Sequence, residues 1–370
     1  MQLPNPYAWA NYKLLMIIPV ILIAASILFF IPHLQKGIDL KGGLLVTLQT
    51  DAPVDAAAVK AALAQYSRNV EVRQFQSPAG NGVEVELEND AGLDAAEEKI
   101  GLVAGLEREA QQARLEAQYA KERGDDATAL EGKADSLEKR TVEEANAGLA
   151  AVSSAKRAVK ADGATQLLQQ EFESRKAGLR AGILAALKKT TKFNSHSFRE
   201  VGSSLSRIFL AKTQEIVLYS FILSAIVVLL VFRSLAPSVA VVFGALGDVA
   251  ITAGVMAAVG IPLSLPTIAT LLMLIGFSLD TDIMLTMRVY RRREGSREQR
   301  AFDALKTGSL MNLTTIGAFG ALLVIATWLQ IPTYSQIGAV AVIGGFVDFI
   351  VTWGFNAGFV LWRLEKEENA

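Results

Sequence analysis

Cysteine is absent from the 370 residues, and histidine occurs only at His33 and His196. Disulfide cross-links, thiolate metal sites and cysteine nucleophiles are therefore excluded, and a histidine-rich metal centre is not expected. No Gly-x-x-x-x-Gly-Lys-(Ser/Thr) loop occurs, which removes the phosphate cradle a nucleotide-hydrolysing pump needs. The formal net charge of −1 supplies no global attraction to nucleic acid. Charge is also missing locally: residues 214–362 hold almost none outside a basic segment at 288–307, whereas 32–213 is densely charged. A bilayer imposes that segregation, because hydrocarbon rejects charge and water accepts it.

What is present, in a chain that is 51% hydrophobic, is six long apolar runs. They are Leu14–Ile31, Ile216–Phe232, Val239–Val259, Leu265–Met287, Met311–Leu329 and Ile337–Leu361, each close to the ~20 residues a spanning helix requires. The first run is long for a signal-peptide core, and Pro32-His33-Leu34-Gln35-Lys36 offers no small-x-small cleavage site, so it is expected to be retained. Arg288–Thr307 carries seven basic residues against three acids, while the loops near Pro262 and Pro332 are uncharged. The positive-inside rule then makes 288–307 cytoplasmic. Both termini (1–13 and 363–370) are expected in the cytoplasm. Residues 14–31 and 214–362 hold the spans, and 32–213 lies outside.

Within 32–213, Gly37-Ile38-Asp39-Leu40-Lys41-Gly42-Gly43 reads as a Gly-rich turn feeding a strand over Leu44–Thr50. Asp55–Tyr66 has helical spacing. Val70–Gln76 and Val83–Glu88 read as strands joined by Ser77-Pro78-Ala79-Gly80-Asn81-Gly82. This β-α-β-β order begins a split-βαβ, ferredoxin-like module. Asp94–Lys189 differs: it is rich in Ala, Glu, Lys, Arg and Gln and has no proline. Two or three long helices are expected there, broken at Gly124-Asp125-Asp126 and Asp162-Gly163, as a helical insertion.

Four carboxylates fall inside the expected spans: Asp248, Asp280, Asp282 and Asp348. An acid at the bilayer centre costs at least ~2.5 kcal/mol on insertion scales, so such residues usually face protein interior or water. Gly244, Asp248 and Thr252 recur every fourth residue, as do Gly344, Asp348, Thr352 and Asn356, which makes a small-polar stripe on each helix. On the fourth span, Gly276 with Asp280 forms one stripe, and Ser278, Asp282 and Thr286 another. Asp280 and Asp282 cannot share a face. A proton relay is one use of such acids. Hydrogen bonding across helices to Asn312, Thr314, Thr315 or Asn356 is the other.

At this point the motifs are similar to those of a known family. Gly37, Asp39, Gly42 and Gly43 after a first span resemble the Gly-x-Asp-x-x-Gly-Gly signature of the SecD/SecF family, within the RND superfamily. Leu274-Ile275-Gly276-Phe277-Ser278-Leu279-Asp280-Thr281-Asp282-Ile283 resembles the fourth-helix motif of its archaeal SecF-type members. Gly247-Asp248-Val249-Ala250-Ile251-Thr252 resembles their third-helix pattern with Gly in place of His, and Asn312-Leu313-Thr314-Thr315 the start of their fifth helix. Val201-Gly202-Ser203 departs from the pattern by lacking its proline.

The resemblance implies an α-helical membrane bundle, half of an RND-type transporter, with an α+β ferredoxin-like extracytoplasmic domain. It also implies a cell-membrane protein that assists protein export without catalysis, metal or cofactor. Its implied partners are SecD, the Sec translocon (the SecY/SecE channel), the translocating polypeptide and the lipid bilayer, not nucleic acid. Coupling to the proton gradient would use Asp280 first and Asp282 second. A lipid or small-molecule exporter half and an intramembrane aspartyl protease are the rival readings. The latter rests only on Ala245-Leu246-Gly247-Asp248.

Overall fold

A computed structural model describes residues 5–8, 11–77, 80–291 and 294–368. The chain divides into two compact units. One gathers residues up to Leu40 and from Phe209 onward, and the other holds Lys41–Gln76 and Gly80–Ile208.

The first unit is built from helices long and apolar enough to cross a membrane: α1 (Tyr12–His33), α6 (Ser203–Phe232), α7 (Leu235–Val259), α8 (Leu265–Arg291), α9 (Arg297–Trp328) and α10 (Pro332–Glu368). The apolar runs set their number, and local chemistry sets their ends. α7 stops at Gly260, whose φ of 75° suits the left-handed cap that glycine accepts without strain. α9 starts at Ser296, whose hydroxyl accepts from the Gln299 amide at 3.2 Å. α10 carries proline in its first turn, where no backbone donor is needed. α7, α8 and α10 are more than half buried within the chain, whereas α1, α6 and α9 are about nine-tenths unburied. The core of this unit therefore lies among three of the six spans.

Two helices run further than their apolar stretches. α6 begins at Ser203 and α9 at Arg297, so much of the basic segment expected as a loop is helix. α10 also contains a π-helical stretch, Val351–Asn356, with no sequence signal to announce it.

In the second unit, β1 (Gly43–Thr50), β2 (Val70–Ser77), β3 (Gly80–Leu87) and β4 (Ser195–Val201) form one sheet in the order β2-β3-β1-β4. β1 pairs antiparallel with both β3 and β4, with Val46 opposite Val85 on one side and Phe198 on the other. Alternation then places Leu44, Val46, Leu48, Val83, Val85 and Leu87 on a single face. That face is closed by Val59 and Leu63 of α2 (Ala56–Leu63) and by Ile183 and Leu187 of α5 (Ala164–Thr190). Asp55 caps α2, its carboxylate accepting from the Ala57 amide at 2.9 Å. The opposite face is polar: Glu86 binds Arg73 at 2.5 Å and Lys41 at 3.2 Å.

Between β3 and α5 stand α3 (Ala91–Arg123) and α4 (Thr128–Ala151), with Gly124 in the left-handed region between them. Ion pairs Arg114–Glu138 and Lys121–Glu131 fix their antiparallel register. Their seam is Ala110, Ala113, Ala117 and Ala120 against Ala134, Thr141 and Ala145. Each methyl there contributes only about 0.8 kcal/mol, so length compensates for a thin contact. The end of the expected insertion belongs to the sheet's core, because Ile183 and Leu187 are fully covered by it. The split-βαβ expectation calls for a strand beyond the insertion, but the residues of β4 carry no signal of their own, since Ser195-His196-Ser197-Phe198 has little apolar alternation. Pro78 and Ala79 of the expected turn lie outside the described residues.

Candidate functional site: an intramembrane carboxyl cluster

Three of the four span carboxylates meet. Asp248 on α7, Asp282 on α8 and Asp348 on α10 are each at most 1% exposed. The four-residue stripes explain this placement: Gly244, Thr252, Ser278, Thr286, Gly344, Thr352 and Asn356 are buried with them. Small residues on these faces let the helices close. A side chain at Gly244 would collide with Asn356 and crowd Asp282, and one at Gly344 would strike Leu274.

Hydroxyls and an amide connect the acids. Ser278 Oγ donates to Asp248. Asn312 Nδ2 donates to Asp348 Oδ2 at 2.7 Å. Thr352 Oγ1 stands 2.7 Å from Asp282 Oδ1 and 3.1 Å from Asp348 Oδ1, and its single hydrogen can serve one of them at a time. No Lys, Arg or His occurs between Arg233 and Arg288 or between Lys306 and Arg363, so these spans bring no cation to the cluster. Thr352 and Asn356 sit inside the π-helical stretch, and such turns recur at functional sites.

The other expected residues fall elsewhere. Asp280 is exposed on the opposite face of α8, two residues from buried Asp282, as the incompatible spacing requires. Gly276 shares that outer face and has open space beside it within this chain, rather than a neighbouring helix. Thr314 is exposed and turns back to the Met311 carbonyl, and Thr315 is half-buried, so of that motif only Asn312 reaches the cluster. Thr352, which touches two of the acids, was visible only as a member of a stripe.

The Gly-rich signature has a definite local role. Gly37 N donates to the Leu263 carbonyl at 2.8 Å, and Leu263 N returns a bond to the Gln35 carbonyl at 2.7 Å. Asp39 Oδ2 accepts from Leu265 N at 3.2 Å, at the first residue of α8, where the helix dipole favours an anion. Gly42, with φ of 78°, packs against Asn89 and Ser206 where a larger residue would be strained and crowded.

Comparison with known proteins gives a consistent neighbourhood. The family described as protein export membrane protein SecD/SecF, C-terminal, matches residues 183–366, and the SecD/SecF GG motif matches residues 27–54. The SecF protein-export membrane protein of Methanothermobacter thermautotrophicus is 38% identical over 185 residues, which is 50% of this chain and 64% of that protein. The SecF of Pyrococcus furiosus is 40% identical over 169 residues, 46% of this chain and 56% of the relative. The matched stretches thus span less than two thirds of these relatives' length. Among solved structures, SecDF of Thermus thermophilus, a translocon-associated membrane protein, superposes with a TM-score of 0.58 at 16% identity. The match covers 98% of this chain and 38% of that one. At that identity the likeness is one of fold.

Proposed function

The chain belongs to the SecD/SecF family of protein-export membrane proteins, and from that membership we propose that it is a SecF-type subunit assisting protein passage across the cell membrane. It is a multi-pass membrane protein. The proposal adds that its six spans are one half of an RND-type transporter and that a SecD-type subunit supplies the other. Residues 32–213 then lie outside the cell and both termini inside. The sheet order and the flanking α2 and α5 support the ferredoxin-like reading of the outer module. The Sec channel and the polypeptide crossing it are the remaining partners, and no catalytic step is assigned.

One observation carries the mechanistic part: three carboxyls from three central helices share one buried site joined by Thr352, Ser278 and Asn312. Three carboxyls packed together, with no cation in the apolar stretches that carry them, form a site suited to taking up and passing on protons. A proton gained or lost there would decide whether Thr352 Oγ1 donates to Asp282, tying α10 to α8, or to Asp348 on its own helix. Asp280 has a separate place. Exposed on the bundle's surface beside open Gly276, it is positioned for cover by the SecD-type partner rather than for the internal cluster.

The test is export of a reporter in vesicles with and without a proton gradient. Asp282→Asn and Asp348→Asn should leave expression and SecD co-purification intact while abolishing stimulation by the gradient. Asp280→Asn should alter partner association or the response only when the partner is present. Wild-type stimulation in both Asp282→Asn and Asp348→Asn would reduce the cluster to helix packing.

A further inference from the structure

The π-helical stretch of α10, Val351–Asn356, leaves a backbone acceptor to be served from outside the helix. The amide of Ala357 bonds the Thr352 carbonyl, five residues back, instead of the Trp353 carbonyl four back. The Trp353 carbonyl thereby loses its α-helical donor, and a buried carbonyl demands another. Tyr7 supplies it. Its hydroxyl donates to the Trp353 carbonyl at 2.8 Å, although 346 positions separate the two residues in sequence. Tyr7 is 2% exposed, in one buried cluster with Leu285 and Val289 of α8, Phe302 of α9 and Val360 of α10.

Both partners of that bond are firmly seated. The Asn5 side chain accepts from the Tyr7 amide at 3.0 Å and donates to the Glu298 carbonyl at 3.2 Å, which ties the short turn Pro6–Ala8 to the start of α9. Around the π stretch, a side chain at Gly308 of α9 would strike the Trp353 indole. One at Gly354 would crowd the Leu15 carbonyl and Pro19 of α1, and one at Gly358 would meet Met16. Next to Trp353 in this stretch is Thr352, whose hydroxyl reaches Asp282 on α8 at 2.7 Å. An α-helix turns about 100° per residue and a π turn less. Were the Trp353 carbonyl to take its α-helical bond instead, the stretch would rewind and Thr352 would point elsewhere.

We infer that Tyr7 is a positioning residue for the carboxyl site. Its hydroxyl holds the π stretch in the register that carries Thr352 to Asp282, acting through the backbone of α10 rather than on the acids themselves. The inference rests on the reading of that site as the one coupling export to protons. Its first test needs no export, so the two can fail separately.

Tyr7→Phe keeps the buried ring and removes only the hydroxyl. In the purified full-length protein it should lower the thermal midpoint by about 2–4 °C. If Tyr7 works by placing Thr352, at least half of that shift should vanish when Tyr7→Phe is made in a Thr352→Val background, because the bond it places is already gone. An unchanged midpoint, or the same shift in both backgrounds, overturns the inference, the second by reducing Tyr7 to a local packing contact. In vesicles, Tyr7→Phe should cut gradient-stimulated export by about fivefold with SecD co-purification intact, and full stimulation in that variant overturns the inference as well. A wild-type protein that shows no response to the gradient, with the coupling between Tyr7 and Thr352 present, would sink the proton reading and leave Tyr7 as the residue that positions Thr352.

Discussion

At Thr352 one hydroxyl hydrogen faces two carboxyl oxygens, 2.7 and 3.1 Å away on different helices. Removing the hydroxyl takes this donor from Asp282 while Asp348 keeps Asn312, at a cost of about 1–3 kcal/mol for a buried acceptor left unpaired. Thr352→Val should therefore lower the thermal midpoint and eliminate gradient-stimulated export. Thr352→Ser, which keeps the hydrogen, should retain most of both. Loss in the Ser variant as well would make the methyl group, and hence packing, the cause. Glu84 on the sheet's polar face is a second residue whose surroundings make a measurable demand. Burial at 8% exposure pushes its carboxyl above the usual range, opposed by Arg73 and Arg199 and reinforced by Glu86. A folded-state value raised above the unfolded one gives stability that is fully present below the unfolded pKa. That stability is lost as pH rises through the folded one. Glu84→Gln should thus slow amide exchange in β1 and β3 at pH 7 and change it little at pH 4. Slower exchange at pH 4 alone would reverse the sign.

At the scale of elements, the apolar runs and the two glycine breaks were legible because membrane burial and left-handed caps each demand one residue type. The stripes at 244/248/252, 278/282/286 and 344/348/352/356 were legible for the same reason: fourfold spacing fixes a helix face whatever the surroundings. What escaped was whatever depends on a distant partner. β4 is a strand because β1 offers it an edge. The last turns of α5, inside the expected insertion, belong to the module because Ile183 and Leu187 seal a sheet whose first three strands lie far earlier in the chain. Which of Asp280 and Asp282 turns inward needed the neighbouring helices as well. The division within the insertion yields a prediction. Replacing residues 112–139, the outer part of the α3–α4 pair, with a short Gly/Ser loop should leave a detergent-stable protein. Removing 94–189 should not, since it strips Ile183 and Leu187 from the core. The readout is the monodisperse fraction on size exclusion, and equal loss in both truncations would show that the alanine seam is required throughout.

For the molecule as a whole, orientation is the property on which the functional reading depends. With no native cysteine, Ser296→Cys beside the basic segment and Asp125→Cys at the insertion's turn can each be tested alone. An impermeant thiol reagent applied to intact cells should modify the Asp125 position and spare the Ser296 position until the membrane is opened. The opposite pattern would place the sheet in the cytoplasm and remove the grounds for an export role.

The π-helical stretch of α10 has a consequence for the chain's tolerance of length. A π turn spends one residue more than an α-helix to cover nearly the same rise, so Val351–Asn356 carries a surplus residue. Deleting Gly354 would let the helix close into regular α geometry with the faces before and after it still aligned. A deletion near Val340 would instead rotate everything beyond it by about 100°, at 3.6 residues per turn, and turn Asp348 away from Asn312. Of two equally small deletions in one span, that at Gly354 should yield folded protein in the membrane fraction and that at Val340 should not. The span thus has a slack residue built into it, next to the acids it carries.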